Sequence, residues 1–304
     1  MTGGAGFIGS HTVERLVAEG SRVLVIDDGS HACGHTLPAE VELLEADAGS
    51  ETAARALAGF RPEAVLHLAT KGGVEKARRD PAEHVRRSVA STVAFFHAAS
   101  DAGARRIVTA SSGGTIYGNP HRLPAGERFA PAPVSAYGAG KLTEEVYLGM
   151  LGRLRGVGVL ALRYSNVYGP RQDGTGEAGL VAITCTRLVE GGQPTIHGDG
   201  LQTRDFVYVA DVAAANVAAL SSGRSGAVNV GTGRETSVRE VVETLIRLSG
   251  SEVAPAFGPP RGSEVRRVCL DWARAAVWLG WSPATPVTDG LQLTLSYFCK
   301  RGRN

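Results

Sequence analysis

No Cys-x-x-Cys pair, no run near the roughly 20 apolar residues of a membrane-spanning helix, and no marked excess of either charge occur in this 304-residue chain. Each absence removes a class. Cys33, Cys185, Cys269 and Cys299 lie far apart, which argues against a disulfide framework or a redox dithiol and fits reduced thiols. The N-terminus lacks a charged leader followed by an apolar run, so the expected compartment is the cytoplasm. Lys and Arg number 32 against 30 Asp and Glu, and the basic residues are scattered. Neither nucleic acid nor a membrane is therefore implied as a partner, and Lys300, Arg301 and Arg303 read as a solvated end. His31, Cys33 and His35 form one metal-like cluster without an evident fourth ligand, so no metal is expected. Internal repeats and low-complexity segments are also missing.

What is present is 43 % apolar content, enough for a sizeable core, arranged in a rhythm. Short β-branched runs at 22–28, 41–47, 64–69, 105–112 and 157–165 alternate with segments at 11–19, 53–58, 85–102 and 139–154 whose apolar residues recur at helical spacing. That alternation predicts an α/β fold built on a parallel, doubly wound sheet covered on both faces. From about Gly169 the glycine and proline density rises and the alternation breaks, with later helices at 211–221 and 237–248. The expected division is a nucleotide-binding domain over 1–168 and a smaller, partly interleaved α/β substrate lobe over 169–304. Val228–Gly231 is read as a strand that returns to the main sheet. Trp272, Trp278 and Trp281 are expected to pack the second lobe.

Gly3, Gly6 and Gly9 recur every third residue and surround Phe7 and Ile8. In a Rossmann fold the first two permit a tight turn and close backbone approach, and the third lets helix pack on strand, so that free helix amides face a pyrophosphate. Asp27 follows about twenty residues later, where an acid binds adenosine ribose hydroxyls. With no arginine among Asp28, Gly29, Ser30 and His31, the expected cofactor is NAD and not NADP. Asp47, closing the next strand, is read as a partner for the adenine amino group or as a plain turn carboxylate. Only Met1 and Thr2 precede Gly3, so the first strand reads as truncated, with an expectation that the natural chain starts earlier.

Tyr137 and Lys141 stand four residues apart, on one face of a helix. A phenol that serves as a base near neutral pH must titrate about three units below its ordinary ~10, a cost of roughly 4 kcal/mol. One positive charge about 4 Å away, at an effective dielectric near 20, supplies on the order of 4 kcal/mol. The ammonium alone nearly suffices, and the pair reads as a proton-transfer couple beside a redox cofactor.

These residues, together with His67-Leu68-Ala69, the run Ser111-Ser112-Gly113-Gly114-Thr115-Ile116-Tyr117-Gly118 and the run Asn166-Val167-Tyr168-Gly169-Pro170-Arg171-Gln172, resemble the extended short-chain dehydrogenase/reductase family. Gly198-Asp199-Gly200, the segment from Thr203 to Val209, and Asn229-Val230-Gly231-Thr232-Gly233 continue the likeness over almost the whole chain. Within the family the chain is most similar to prokaryotic UDP-glucose 4-epimerases, where a run like Gly176-Glu177-Ala178-Gly179 follows the Pro-Arg-Gln segment.

The resemblance implies a Rossmann-type NAD-binding fold and nucleotide-sugar 4-epimerisation through a 4-keto sugar. Tyr137 would be the base, Lys141 would tune it and hold the nicotinamide ribose, and Leu68 and Ala69 would flank the cofactor. Asn166 and Arg204 would grip the UDP phosphates, and Arg261 and Glu264 fall where the family contacts the uridine nucleotide. A homodimer is implied, built from the helices at 85–102 and 139–154 as a four-helix bundle. Gly113 departs from a frequent Ser or Thr, so Ser112 or Thr115, with Thr115 favoured, is expected to supply the missing hydroxyl. Gly113-Gly114-Thr115 carries no carboxylate, which disfavours a 4,6-dehydratase; UDP-glucuronate epimerisation or decarboxylation is the alternative, and a non-catalytic dinucleotide-binding regulator the rival class. Lys71, which departs from the family, is read as a solvated loop lysine in preference to a contact for a sugar carboxylate, and Ser88 stands where Asn is frequent.

Overall fold

A computed structural model of the chain describes residues 1–175, 179–260 and 265–302. Six parallel strands form its main sheet: β1 (Leu24–Asp27), β2 (Glu42–Glu45), β3 (Ala64–His67), β4 (Arg106–Ser112), β5 (Gly158–Tyr164) and β6 (Gly226–Val230). β1 pairs with β2, and β3, β4, β5 and β6 pair in that order. Thr2 joins the two groups, bridging Ile26 on one side and His67 on the other. Its amide donates to Leu66 O at 3.0 Å, its carbonyl accepts from Leu68 N at 3.2 Å, and Gly3 N reaches Ile26 O at 3.0 Å. The central position is thus held by a few residues that are hydrogen-bonded on both edges. The Met1 amine, 2.6 Å from Leu24 O, is pushed down to about 5 by burial.

Alternate side chains along the strands feed two cores, as the pleat requires. Val65, Ile107 and Val159 pack with Leu57, Phe95, Phe96, Leu148 and Leu151 on one face. Leu66, Val108, Leu160 and Leu162 pack with Val212, Ala215, Ala219 and Val228 on the other. The first face is covered by helices Glu51–Phe60 and Ala90–Asp101 and by α2 (Ala136–Arg155); the second by α1 (Phe7–Ala18) and helix Val209–Ser221. Asn216 Nδ2 donates to Thr12 Oγ1 at 3.0 Å, tying these last two together.

Three features differ from the sequence reading. The helix expected over 85–102 is a short turn Pro81–His84, a π-helical turn Val85–Val89 and then Ala90–Asp101. An inserted residue in a helical turn follows from tertiary packing, which periodicity does not encode. Trp272, Trp278 and Trp281 pack against the main-sheet core and not within the second lobe, and Trp281 Nε1 donates to Asp211 O at 2.8 Å. Finally, Val209–Ser221, expected with the second lobe, belongs to the sheet layers although it lies late in sequence.

The second lobe gathers helices Leu180–Val189, Val238–Ser249 and Val287–Arg301 around Val181, Cys185, Val241, Leu245 and Leu295. Of two short strand pairs, Asn166–Tyr168 with Phe206–Tyr208 follows directly from the carboxyl end of β5, and Thr195–His197 with Ala256–Gly258 packs Ile196 on helix Val238–Ser249. Ligands of open α/β sheets bind along the sheet's carboxyl edge.

Candidate active site

The glycine loop is built for close approach. Gly3 has φ +68°, and a Cβ there would lie 2.8 Å from Ala69 N. A Cβ on Gly9 would lie 1.9 Å from Gly3 O, so α1 can pack this near the loop only without a side chain. Gly6 caps α1 and makes no side-chain cap bond, which leaves the first-turn amides for an outside acceptor. Asp27 Oδ2 accepts from Ala5 N at 2.9 Å and Oδ1 from Gly29 N at 3.0 Å, which fixes its carboxylate at the strand end.

A cavity of about 930 Å³ runs from this loop along the sheet edge. Gly3, Gly6, Phe7, Ile8, Gly9 and Asp27 line it at one end, Leu68 and Ala69 in the middle, and Tyr137 and Lys141 at the other. A backbone cradle that any Cβ would fill, uncapped helix amides and a fixed carboxylate together fit a dinucleotide.

Asp47 has the contacts of a turn carboxylate, the second of its two expected readings. Its neighbours Ala46 and Ala48 line the cavity, while its carboxylate accepts from Gly49 N at 2.7 Å and Ser91 Oγ at 2.8 Å and pairs with Lys71. Lys71 Nζ also reaches Asp28 Oδ2 at 2.6 Å, so this side chain is no solvated loop lysine. Partial burial opposes the charge on Asp28, yet the Lys71 and Ser30 hydrogen bonds win and hold its carboxyl at about 2. Sequence could not reveal the pairing because the three residues sit in different loops.

At the chemical end, Ser135 Oγ accepts from Gly138 N at 3.1 Å and so sets the start of α2, placing Tyr137 in its first turn. Lys141 is 3 % exposed, with Nζ 5.9 Å from the centre of the Tyr137 ring and 2.9 Å from Glu144 Oε2. Burial works against the ammonium, but Glu144 first, and Tyr137 and Glu145 with it, together more than offset it, and the Lys141 pKa is raised. A polar network fastens α2 to the sheet. Arg163 on β5 donates from Nε and Nη2 to Glu145 at 3.0 and 2.7 Å, Ser111 Oγ donates to Glu145 at 2.6 Å, and Arg163 Nη1 donates to Tyr117 OH at 2.9 Å.

Ser112 and Thr115 are not on the cavity wall. Thr115 Oγ1 faces Ser112 O at 3.5 Å, within its own turn, and the serine that lines the cavity is Ser111. Asn166 and Arg204 also lie off the wall: Asn166 N bonds Asp205 O at 2.9 Å, and Arg204 Nη1 bonds Thr203 O at 2.8 Å. Arg261 and Glu264 lie outside the described residues. Of the metal-like cluster, His35 pairs with Glu14 at 2.7 Å, His31 lies 3.0 Å from Ser30 Oγ, and Cys33 Sγ lies 3.6 Å from Ser10 Oγ. No group of three metal-ligating side chains exists among the described residues.

Two residues escaped the sequence reading. Arg171 reaches the cavity from the second lobe with φ +71°, a left-handed backbone unusual for a non-glycine residue. Its Nη2 donates to Glu14 at 2.7 Å, and its buried Nη1 has no hydrogen-bond partner among the described residues. Glu144 escaped as well, although its i+3 spacing from Lys141 was there to be read.

A profile of the NAD-dependent epimerase/dehydratase family matches residues 1–231. The chain belongs to this family. A UDP-glucose 4-epimerase of Mycolicibacterium smegmatis is 40 % identical over 98 % of this chain and 97 % of its own. The structure of a UDP-glucose 4-epimerase with UDP-glucose from Thermotoga maritima superposes with a TM-score of 0.95 at 38 % identity, covering 99 % of this chain and 98 % of that one. That of a Thermus thermophilus UDP-glucose 4-epimerase in complex with NAD gives 0.92 at 38 % identity, over 98 % and 97 %. As an epimerase/dehydratase family member the protein takes NAD, and the cradle, α1 and Asp27 are the residues that fit it.

Proposed function

We propose that this protein interconverts UDP-glucose and UDP-galactose by NAD-dependent oxidation and re-reduction at C4 of the sugar. The observation that carries the reading is Tyr137 and Lys141 sharing one cavity with the glycine cradle and Asp27. Gly3, Gly6, Gly9 and Asp27 hold the coenzyme, and Lys141 meets its nicotinamide ribose. NAD supplies a hydride acceptor that returns the hydride in the same cycle.

Tyr137 takes the proton of the 4-hydroxyl as that carbon is oxidised and gives it back as the ketone is reduced on its other face. Lys141 keeps a positive charge near the phenolate that forms. Gly113-Gly114-Thr115 carries no carboxylate, which favours reduction of the 4-keto sugar over its dehydration or decarboxylation. Asn166 and Arg204, which lie off that cavity wall, hold the UDP moiety with Arg261 and Glu264, and Ser111, which is on the wall, meets the sugar oxygen.

The working unit is a homodimer in the cytoplasm. Val146, Tyr147 and Leu154 form an exposed apolar stripe on α2 at 61, 43 and 73 % exposure, more than a solitary helix face should leave in water. Val85, 55 % exposed, adds to it from the neighbouring helical segment. Incubation with UDP-galactose and chromatography of UDP-glucose tests the reaction, with UDP-glucuronate and UDP-N-acetylglucosamine as competing substrates. Light scattering at micromolar concentration tests the dimer, and a monomer would refute it.

A further inference from the structure

Lys141 is fully enclosed, yet it must remain a cation to act on the phenol. An ammonium taken out of water without a counter-charge loses several pK units and tends to give up its proton. The groups facing Lys141 come from three elements. On α2 they are Tyr137, Glu144 and Glu145; from the turn Pro81–His84 comes His84, and from β3 comes His67.

Most of these are committed elsewhere or uncharged. Glu145 is held by Arg163 and Ser111. His67 lies between Thr2 Oγ1 at 2.8 Å and Thr92 Oγ1 at 3.0 Å, and burial pushes it down to about 3, so it is neutral near pH 7. His84, whose ring centre is 6.0 Å from that of Tyr137, is buried and likewise driven toward its neutral form. Glu144 remains. It is 1 % exposed, its Oε2 is 2.9 Å from Lys141 Nζ, and its Oε1 has no hydrogen-bond partner among the described residues. A carboxylate so placed gains nothing for itself from water, and its one strong contact is the ammonium.

We propose that Glu144 is a positioning residue for the Tyr137 and Lys141 couple: it is the counter-charge that keeps the enclosed Lys141 protonated and holds it beside the phenol. Because Glu144 stands one turn beyond Lys141, away from Tyr137, it secures the ammonium without coming between ammonium and phenol. The Lys141 pKa, raised despite burial, agrees with that geometry. The inference rests on the epimerase reading only for its kinetic arm.

The test follows Lys141 itself. The lysines are Lys71, Lys76, Lys141 and Lys300, so the 13Cε spectrum of lysine-labelled, NAD-loaded protein is sparse, and the Lys141 signal is the one lost in Lys141→Met. In the parent, Lys141 keeps its proton above the ordinary lysine range. In Glu144→Gln, which keeps size and removes charge, its midpoint falls by about two pH units. The alkaline limb of the turnover profile moves down with it. Glu144→Asp, which lengthens the pair, gives a smaller downward shift, and it decides the matter if the glutamine variant does not fold. A folded variant in which Lys141 titrates as in the parent overturns the proposal, even where thermal stability has dropped. Absence of turnover in the parent would sink the epimerase reading but leave the titration decisive.

Discussion

The Cβ that Gly113 lacks would lie 2.4 Å from Leu270 Cδ1 and 3.1 Å from Arg163 O. Leu270, 1 % exposed, has taken the space that a family serine would fill. Gly113→Ser should therefore destabilise the protein by about 1–3 kcal/mol through overpacking. Leu270→Ala alone should cost about 2–5 kcal/mol, and the pair together clearly less than the sum. Urea unfolding of the four proteins measures this; strict additivity would show that the two positions do not compete for one space.

Asp27 is placed to select between NAD and NADP. Its carboxylate, fixed by Ala5 N and Gly29 N on the cavity wall, should repel a 2′-phosphate. NAD should bind at least about tenfold more tightly than NADP, and Asp27→Asn should close most of that gap. Calorimetric titration with both coenzymes checks it, and a preference for NADP in the parent would contradict it.

Arg171 brings to the cavity, from the second lobe and at the cost of a left-handed backbone, an Nη1 without a hydrogen-bond partner among the described residues. Strain and an orphan donor held together point to an anionic ligand. Arg171→Met should weaken NAD binding about tenfold, or roughly 1.4 kcal/mol. Unchanged affinity in fluorescence titration would leave the guanidinium with a structural role toward Glu14 alone.

His67 should make stability depend on pH. Burial first, and the Lys141 charge next, lower its pKa from 6.5 to about 3, so the folded protein binds this proton less readily than the unfolded chain. Its contribution is complete above pH 6.5 and is lost as pH falls toward 3, at about 1.4 kcal/mol per unit. In His67→Gln the pH slope of unfolding free energy over that window should be smaller by close to one proton. An identical slope would mean that His67 is not the group responsible.

Local spacing carried much of this fold and site. The β-branched runs of β1 to β5, the glycine loop, Asp27, and Tyr137 with Lys141 are all short-range patterns, dictated by the pleat, the helical turn or the close approach of one backbone to another. What was illegible depends on contacts between distant segments. Nothing near Lys71 announces Asp28 and Asp47 as its partners, and nothing near Gly113 announces Leu270. The π-helical turn at Val85–Val89 answers to packing and not to apolar period. The place of Val209–Ser221 in the sheet layers likewise follows from which core it completes, with Val212 and Ala215 meeting Leu160 and Leu162.

The central claim is that the Tyr137 phenol, with the Lys141 ammonium one turn away, moves the proton while the sugar is oxidised and reduced at C4. The measurement that tests it most directly is the rate of UDP-glucose formation from UDP-galactose by NAD-loaded Tyr137→Phe protein, with its fold and bound NAD verified. The account predicts a loss of at least about a hundredfold relative to the parent, the scale of a general acid–base contribution. A variant that turns over as fast as the parent would contradict it.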